Sequence, residues 1–146
     1  MGDRRFPHSG LELGVKLQVI DPPRVFQVGG TPAVAMKDCA RIELAPDEQV
    51  TFVTPAGGEY DVARKSWGFY ATPSLNGRLP AFGLRPALVK SSKGRYYVFL
   101  IEKDKETECQ RYLEEYGHKV LFWLDNDSEL EALERTRNKG DCLISP

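Results

Sequence analysis

The hydrophobic period of this chain changes once, near Lys103, and that change limits the folds open to it. Before Lys103 apolar and polar residues alternate in short runs; after it the apolar ones recur every three or four residues. Val15, Leu17 and Val19 alternate with Lys16 and Gln18, which predicts a half-buried strand over 15–20. Asp21-Pro22-Pro23 ends it, because prolines cannot donate to a ladder. Residues 24–28 read as a second strand stopped by Gly29-Gly30, and 33–37 as a third. Residues 39–44 alternate clearly, and Ala45-Pro46-Asp47-Glu48 supplies turn chemistry before 49–54. A hairpin pairing 39–44 with 49–54 is therefore predicted.

An aromatic segment follows. Over 66–71 strand periodicity sets Trp67, Phe69 and Ala71 against Ser66, Gly68 and Tyr70. Residues 72–80 form a loop bracketed by prolines, with Asn76-Gly77 suited to a tight turn of positive φ. Residues 82–90 resume as strand, and Pro86 assigns them to an edge or a bulge. Residues 95–102 are apolar on both faces from Tyr97 on, the pattern of a central strand covered on both sides. Cys109, Tyr112, Leu113 and Tyr116 then mark an amphipathic helix over 105–116, with Gly117 as its C-cap. A strand over 119–124 follows, and Ser128 with Glu131 resembles a capping box opening a last helix to about Arg135.

Strands first and helices last predict an α+β fold. Its N-terminal two-thirds would be an antiparallel small sandwich or barrel-like sheet, followed by a strand-helix-strand-helix part. The unit 95–102, 105–116, 119–124 has the make-up of a crossover that adds a parallel pair. A loose arm over 1–14, a single domain over 15–137 and a loose tail over 138–146 complete the expected organisation.

At 146 residues the chain can bury one good core, and 41% hydrophobic with 28% charged residues is a globular rather than a disordered composition. A net charge of −1 argues against non-specific nucleic-acid binding and against an anionic membrane surface. The apolar runs are too short to cross a bilayer, and the termini lack secretion or lipidation patterns, so a soluble cytoplasmic protein is expected. Oligomeric state is left open. Cys39, Cys109 and Cys142 form no close pair, and His8 and His118 are far apart, so no metal centre is predicted. Asp125-Asn126-Asp127 reads as a polar loop capping a helix rather than a cation site. Phosphate-loop, dinucleotide and nucleophile-elbow patterns do not occur, and no cofactor is predicted.

Charge is sorted by region. Residues 62–101 hold Arg64, Lys65, Arg78, Arg85, Lys90, Lys93 and Arg95 without one Asp or Glu, interleaved with seven aromatics. Residues 102–134 carry eleven carboxylates against four Lys or Arg. Either an anionic ligand or an acidic neighbour in the same fold accounts for that sorting; Arg85, Lys90 or Arg95 could pair with Glu108, Glu114 or Glu115. For a ligand, Thr72, Ser74, Asn76 and Arg78 gather hydroxyl, amide and guanidinium groups in one loop, after Trp67 and Tyr70. Hydroxyls and amides bond sugars, Arg forks phosphate, and aromatic faces stack on rings. Arg85 and Arg95, on adjoining strands, complete the candidate site. The leading expectation is a binding or accessory domain for an anionic small molecule such as a sugar phosphate, nucleotide or nucleotide-sugar. The alternatives are a metal-independent enzyme using Tyr70 or a carboxylate as proton carrier, and a single-stranded nucleic-acid or protein-interaction module.

Overall fold

A computed structural model describes residues 14–29 and 33–143, with side chains to 139. All but Gly14 of the expected arm, and the Cys142 side chain, lie outside the described residues. The fold is α+β; the described residues form three open, largely antiparallel sheets, with the helices confined to the part of the chain from Arg78 on. No described helix is long and apolar enough to cross a membrane. Contacts group the chain into two compact units. The first holds the described residues up to Thr51 with Asp61–Thr72, the second Phe52–Tyr60 and the residues from Pro73 on.

In the first unit, β1 (Lys16–Val28) and β2 (Val34–Glu43) make a two-stranded ribbon. The prolines do not end β1. Ile20 to Pro23 stand opposite Cys39 alone, an irregularity between the pairs Val19–Ala40 and Arg24–Asp38, and the ladder resumes beyond it. The extra residues carry the missing donors out of the ladder. The predicted hairpin of 39–44 with 49–54 is also corrected, since β2 pairs with β1. The strand β3 (Gln49–Val53) is instead neighbour to β4 (Glu59–Lys65), and β5 (Gly68–Ala71) lies on the far side of β4. The turn at 45–48 explains the exchange. Asp47, at φ 70°, donates its N–H to Arg64 O at 2.7 Å, Arg64 returns one to Glu48 O at 2.9 Å, and the Glu48 carboxylate accepts from Ala45 N–H at 2.6 Å. The turn is thus tied to β4. That strand escapes periodicity because its buried positions are Asp61 and Ala63, while the larger Tyr60 and Val62 are only half-buried.

In the second unit, β7 (Tyr96–Glu102), β6 (Leu84–Lys90) and β8 (Lys119–Trp123) form a sheet with β6 in the middle. Pro86 therefore lies in a central strand. Its carbonyl accepts from Leu124 N–H just past the end of β8, so the N–H that proline lacks would face the same unpaired end. The strand expected to be central, β7, is an edge strand with Tyr96, Tyr97 and Val98 exposed. Both β7 and β8 run antiparallel to β6. They are separated by it, so no adjacent parallel pair forms.

The helix α1 (Arg78–Ala81) replaces part of the expected loop, and Gly77 has φ −135° rather than a positive value. A 3-10 turn at Lys103–Lys105 leads into α2 (Glu106–Tyr116), closed by Gly117 at φ 71°. Leu113 of α2 joins Ala87, Val89 and Ile101 in the core, with Phe99, Cys109, Val120 and Trp123 packed around them. The last helix, α3 (Asp127–Leu143), extends past Arg135. Its cap is Asn126, whose Oδ1 accepts from Glu129 N–H at 3.1 Å and from Ser128 Oγ at 2.7 Å; Ser128 is a partner of the cap and not the cap.

Candidate functional site

The eight candidate residues divide between the units, Trp67, Tyr70 and Thr72 in the first and Ser74, Asn76, Arg78, Arg85 and Arg95 in the second. Within the second unit most are spent on the fold. Ser74 Oγ accepts from Arg78 N–H at 3.1 Å, supporting the entry to α1. Asn76 donates to Asp127 at 2.7 Å, and the Arg78 guanidinium lies 5.8 Å from the Phe82 ring.

Arg85 makes the densest set of contacts. Its Nε and Nη2 fork the Asp125 carboxylate at 2.8 and 3.2 Å, Nη1 reaches Glu106 at 3.1 Å, and the guanidinium sits 3.9 Å from the Trp123 ring centroid. The bonds from Arg85 hold the Asp125 carboxyl below its ordinary value, and the same partner raises the guanidinium further above its own. Internal pairing is therefore real for Arg85, but with Asp125 and Glu106 rather than Glu108, Glu114 or Glu115. Arg95 stands elsewhere. It follows the turn at 91–94, where Ser91 Oγ accepts its N–H at 3.0 Å, while Arg85 pairs with Ile101 near the other end of the same hairpin. About 20 Å of strand separates the two positions at roughly 3.4 Å per residue. They do not converge.

The first unit does bring groups together. Trp67 leaves the Phe69 side expected for it, occupies the β4–β5 turn, and stacks on Tyr70 at 6.1 Å and 28°. It is 70% exposed and so is not a core residue. Register pairs Tyr70 with Ala63, which sets Lys65 and Asp61 on the Tyr70 face of β4. Lys65 Nζ meets Asp47 at 2.5 Å, and that bond raises the ammonium above its usual value. Thr72 Oγ1 donates to Gln49 at 3.3 Å, and Thr51 Oγ1 to the buried Asp61 at 2.5 Å. Around this face of β4, on which Asp61 and Ala63 are buried, gather an aromatic stack, a cation and hydroxyl, amide and carboxylate groups.

Asp47, Gln49 and Thr51 are members that sequence reasoning missed. They lie outside the basic segment, and only the β3–β4 pairing delivers them. On the opposite face Arg64 lies over Phe69 at 5.7 Å, and its Nη1 is the one buried side-chain polar atom without a hydrogen-bond partner among the described residues.

Two clefts belong to the second unit. One of about 230 Å³ opens between α2 and the core beside Cys109 and Trp123; one of about 360 Å³ is bounded by Gly57, Gly58, Phe82 and Glu102 to Asp104. Burial pushes the Cys109 thiol up, as for an inert core cysteine. Neither cleft is lined by a candidate residue. Among the described residues no group of three His, Cys, Asp or Glu is arranged to hold a metal ion. No protein-family model, curated protein or solved structure matches the chain.

Proposed function

We propose that the chain is a binding or accessory domain for an anionic small molecule that contains a ring, held at the Trp67–Tyr70 face of the first unit. Sugar phosphates, nucleotides and nucleotide-sugars are the ligand classes it fits. The observation that carries this reading is the stacked, 70% exposed Trp67 beside the charged Lys65. An indole left in water adds little to the fold, whereas stacking on a ring contributes about 1–3 kcal/mol. Lys65, held by Asp47, would turn from that carboxylate to meet the anionic group, and Thr72 with Gln49 offers the donors and acceptors that ring hydroxyls require. We place the protein in the cytoplasm, in keeping with the free thiols of Cys39 and Cys109.

The test is a fluorescence titration with nucleoside diphosphate sugars, sugar phosphates and the matching neutral sugars. Trp123 is the second indole of the chain, so a Trp67→Phe variant supplies the background. Saturable quenching by the phosphate-bearing ligands, absent in Trp67→Phe and weakened by salt and by Lys65→Gln, is the expected result. Such a ligand should stabilise the fold by about 2.7 kcal/mol at roughly 100 times its dissociation constant. Failure of every phosphate ligand to quench Trp67 sinks the proposal. Loss of binding with Arg78→Ala but not with Trp67→Ala moves the site to the second unit.

A further inference from the structure

Asn76 is the one asparagine of the chain that precedes a glycine; Asn126 is followed by Asp127 and Asn138 by Lys139. A glycine has no side chain to shield its backbone nitrogen, so that nitrogen can close on the side chain of the preceding residue. The fold itself requires the pair. A Cβ on Gly77 would run into Ser74 Oγ, the atom that accepts the Arg78 N–H at the entry to α1. The fold also restrains it. The exposed Asn76 amide donates to Asp127, the first residue of α3, at 2.7 Å, and Gly77 N–H donates to Ser74 O at 3.3 Å. Both reacting groups are thus engaged, one of them by a side chain 51 positions away.

We propose that Asn76–Gly77 is a deamidation site latched by Asp127, and that its reaction releases residues 74–77 from the start of α3. In the reaction the Gly77 nitrogen bonds to Asn76 Cγ, the Cγ–Nδ2 bond breaks, and ammonia leaves with the amide proton. Water then adds across either C–N bond of the resulting cyclic imide. One opening leaves aspartate at position 76; the other leaves isoaspartate, with the main chain routed through Cγ. Either product carries a carboxylate and no NH2 donor at this position. Asp127 accepts from the amide but repels a carboxylate, so the contact changes sign with water as the only co-reactant. The latch therefore slows the reaction that would undo it, and once undone it does not re-form.

The test incubates the full chain in mildly alkaline buffer beside a synthetic peptide of residues 66–78. Deamidation is read by mass on the tryptic fragment Ser66–Arg78, which contains no other asparagine. A hydrogen bond of ordinary net strength that must first break slows the reaction about 5-fold, so the folded chain, with two, should react about 25-fold more slowly than the peptide. Asp127→Ala should recover about 5-fold of that. Ser128→Ala, which disturbs the start of α3 through Asn126 instead, should leave the rate unchanged. Asn76→Asp stands for the product. Its urea midpoint should fall by roughly 0.3–1 M, and adding Asp127→Asn should restore it. Circular dichroism shows that each variant is folded; should Asp127→Ala fail to fold, Asp127→Asn, which keeps the shape and loses the charge, replaces it in the rate measurement. A folded chain that deamidates as fast as the peptide overturns the proposal. So does release of Asp127 that leaves the rate at the wild-type value, or an Asn76→Asp midpoint that is unchanged or that Asp127→Asn does not restore.

Discussion

Replacing Arg85 with methionine tests whether the second unit is tied together by a single guanidinium. The side chain is 26% exposed and Asp125 13%, so their fork is sheltered from solvent, while Glu106 at 39% is not. Charge-assisted bonds to a sheltered carboxylate contribute about 1.5–3 kcal/mol, and stacking on Trp123 adds about 0.5–1. The Glu106 bond, on a more exposed partner, adds no more than about 1 kcal/mol. Methionine keeps the aliphatic stem and strands the Asp125 carboxylate, so the expected loss is about 3 kcal/mol. At an m-value of about 1–3 kcal/mol per molar, the urea midpoint falls by roughly 1–3 M. The pH dependence gives a second reading. The folded Asp125 carboxyl lies below its unfolded value because Arg85 hydrogen-bonds the anion. Its stabilisation is therefore complete above an unfolded pKa of about 4 and is lost as pH falls through the folded one. The gap between wild type and Asp125→Asn should be widest near neutrality and close under acid. Replacing both partners, as Arg85→Met with Asp125→Leu, should recover much of the loss, because no charge is then stranded. An unchanged midpoint for Arg85→Met, or an Asp125→Asn gap as wide at pH 3 as at pH 7, refutes the reasoning.

Two further predictions concern local devices. Asn126→Ala should cost about 0.5–2 kcal/mol by uncapping α3, whereas Ser128→Ala should cost much less; urea midpoints of the pair show which residue is the cap. Asp47 holds φ 70° in the turn that ties 45–48 to β4, so Asp47→Gly should be nearly neutral and Asp47→Val should lose at least about 1–2 kcal/mol. Equal thermal midpoints for those two variants would show that the turn does not require that backbone conformation.

The change of period near Lys103 was enough to predict α+β, the helix at α2 with its Gly117 cap, and the strands at β3, β6 and β8. Those are local properties, carried by neighbouring residues. Pairing is not local, and there the sequence misled. The residues of β2 alternate as well for β3 as for β1, and only the bonds from Asp47 and Glu48 to Arg64 decide the exchange. Strand β7 reads as central because it is apolar, yet β6 takes that place despite its proline, since ladder position and not composition says which donors are needed. Ile20 to Pro23, set against one residue of β2, shift the parity of β1, so that Leu17 and Val19 share a face with Phe26 and Val28. Alternation in sequence therefore hid which residues of β1 share a face. In the candidate site, the aromatic and basic character of 62–101 was legible, but its division of labour was not. Arg85 and Trp67 are equally conspicuous as letters. The tertiary structure gave Arg85 two carboxylates and a ring while leaving Trp67 stacked in solvent, because only folding brings Asp125 and Glu106 to a residue 40 and 21 positions away.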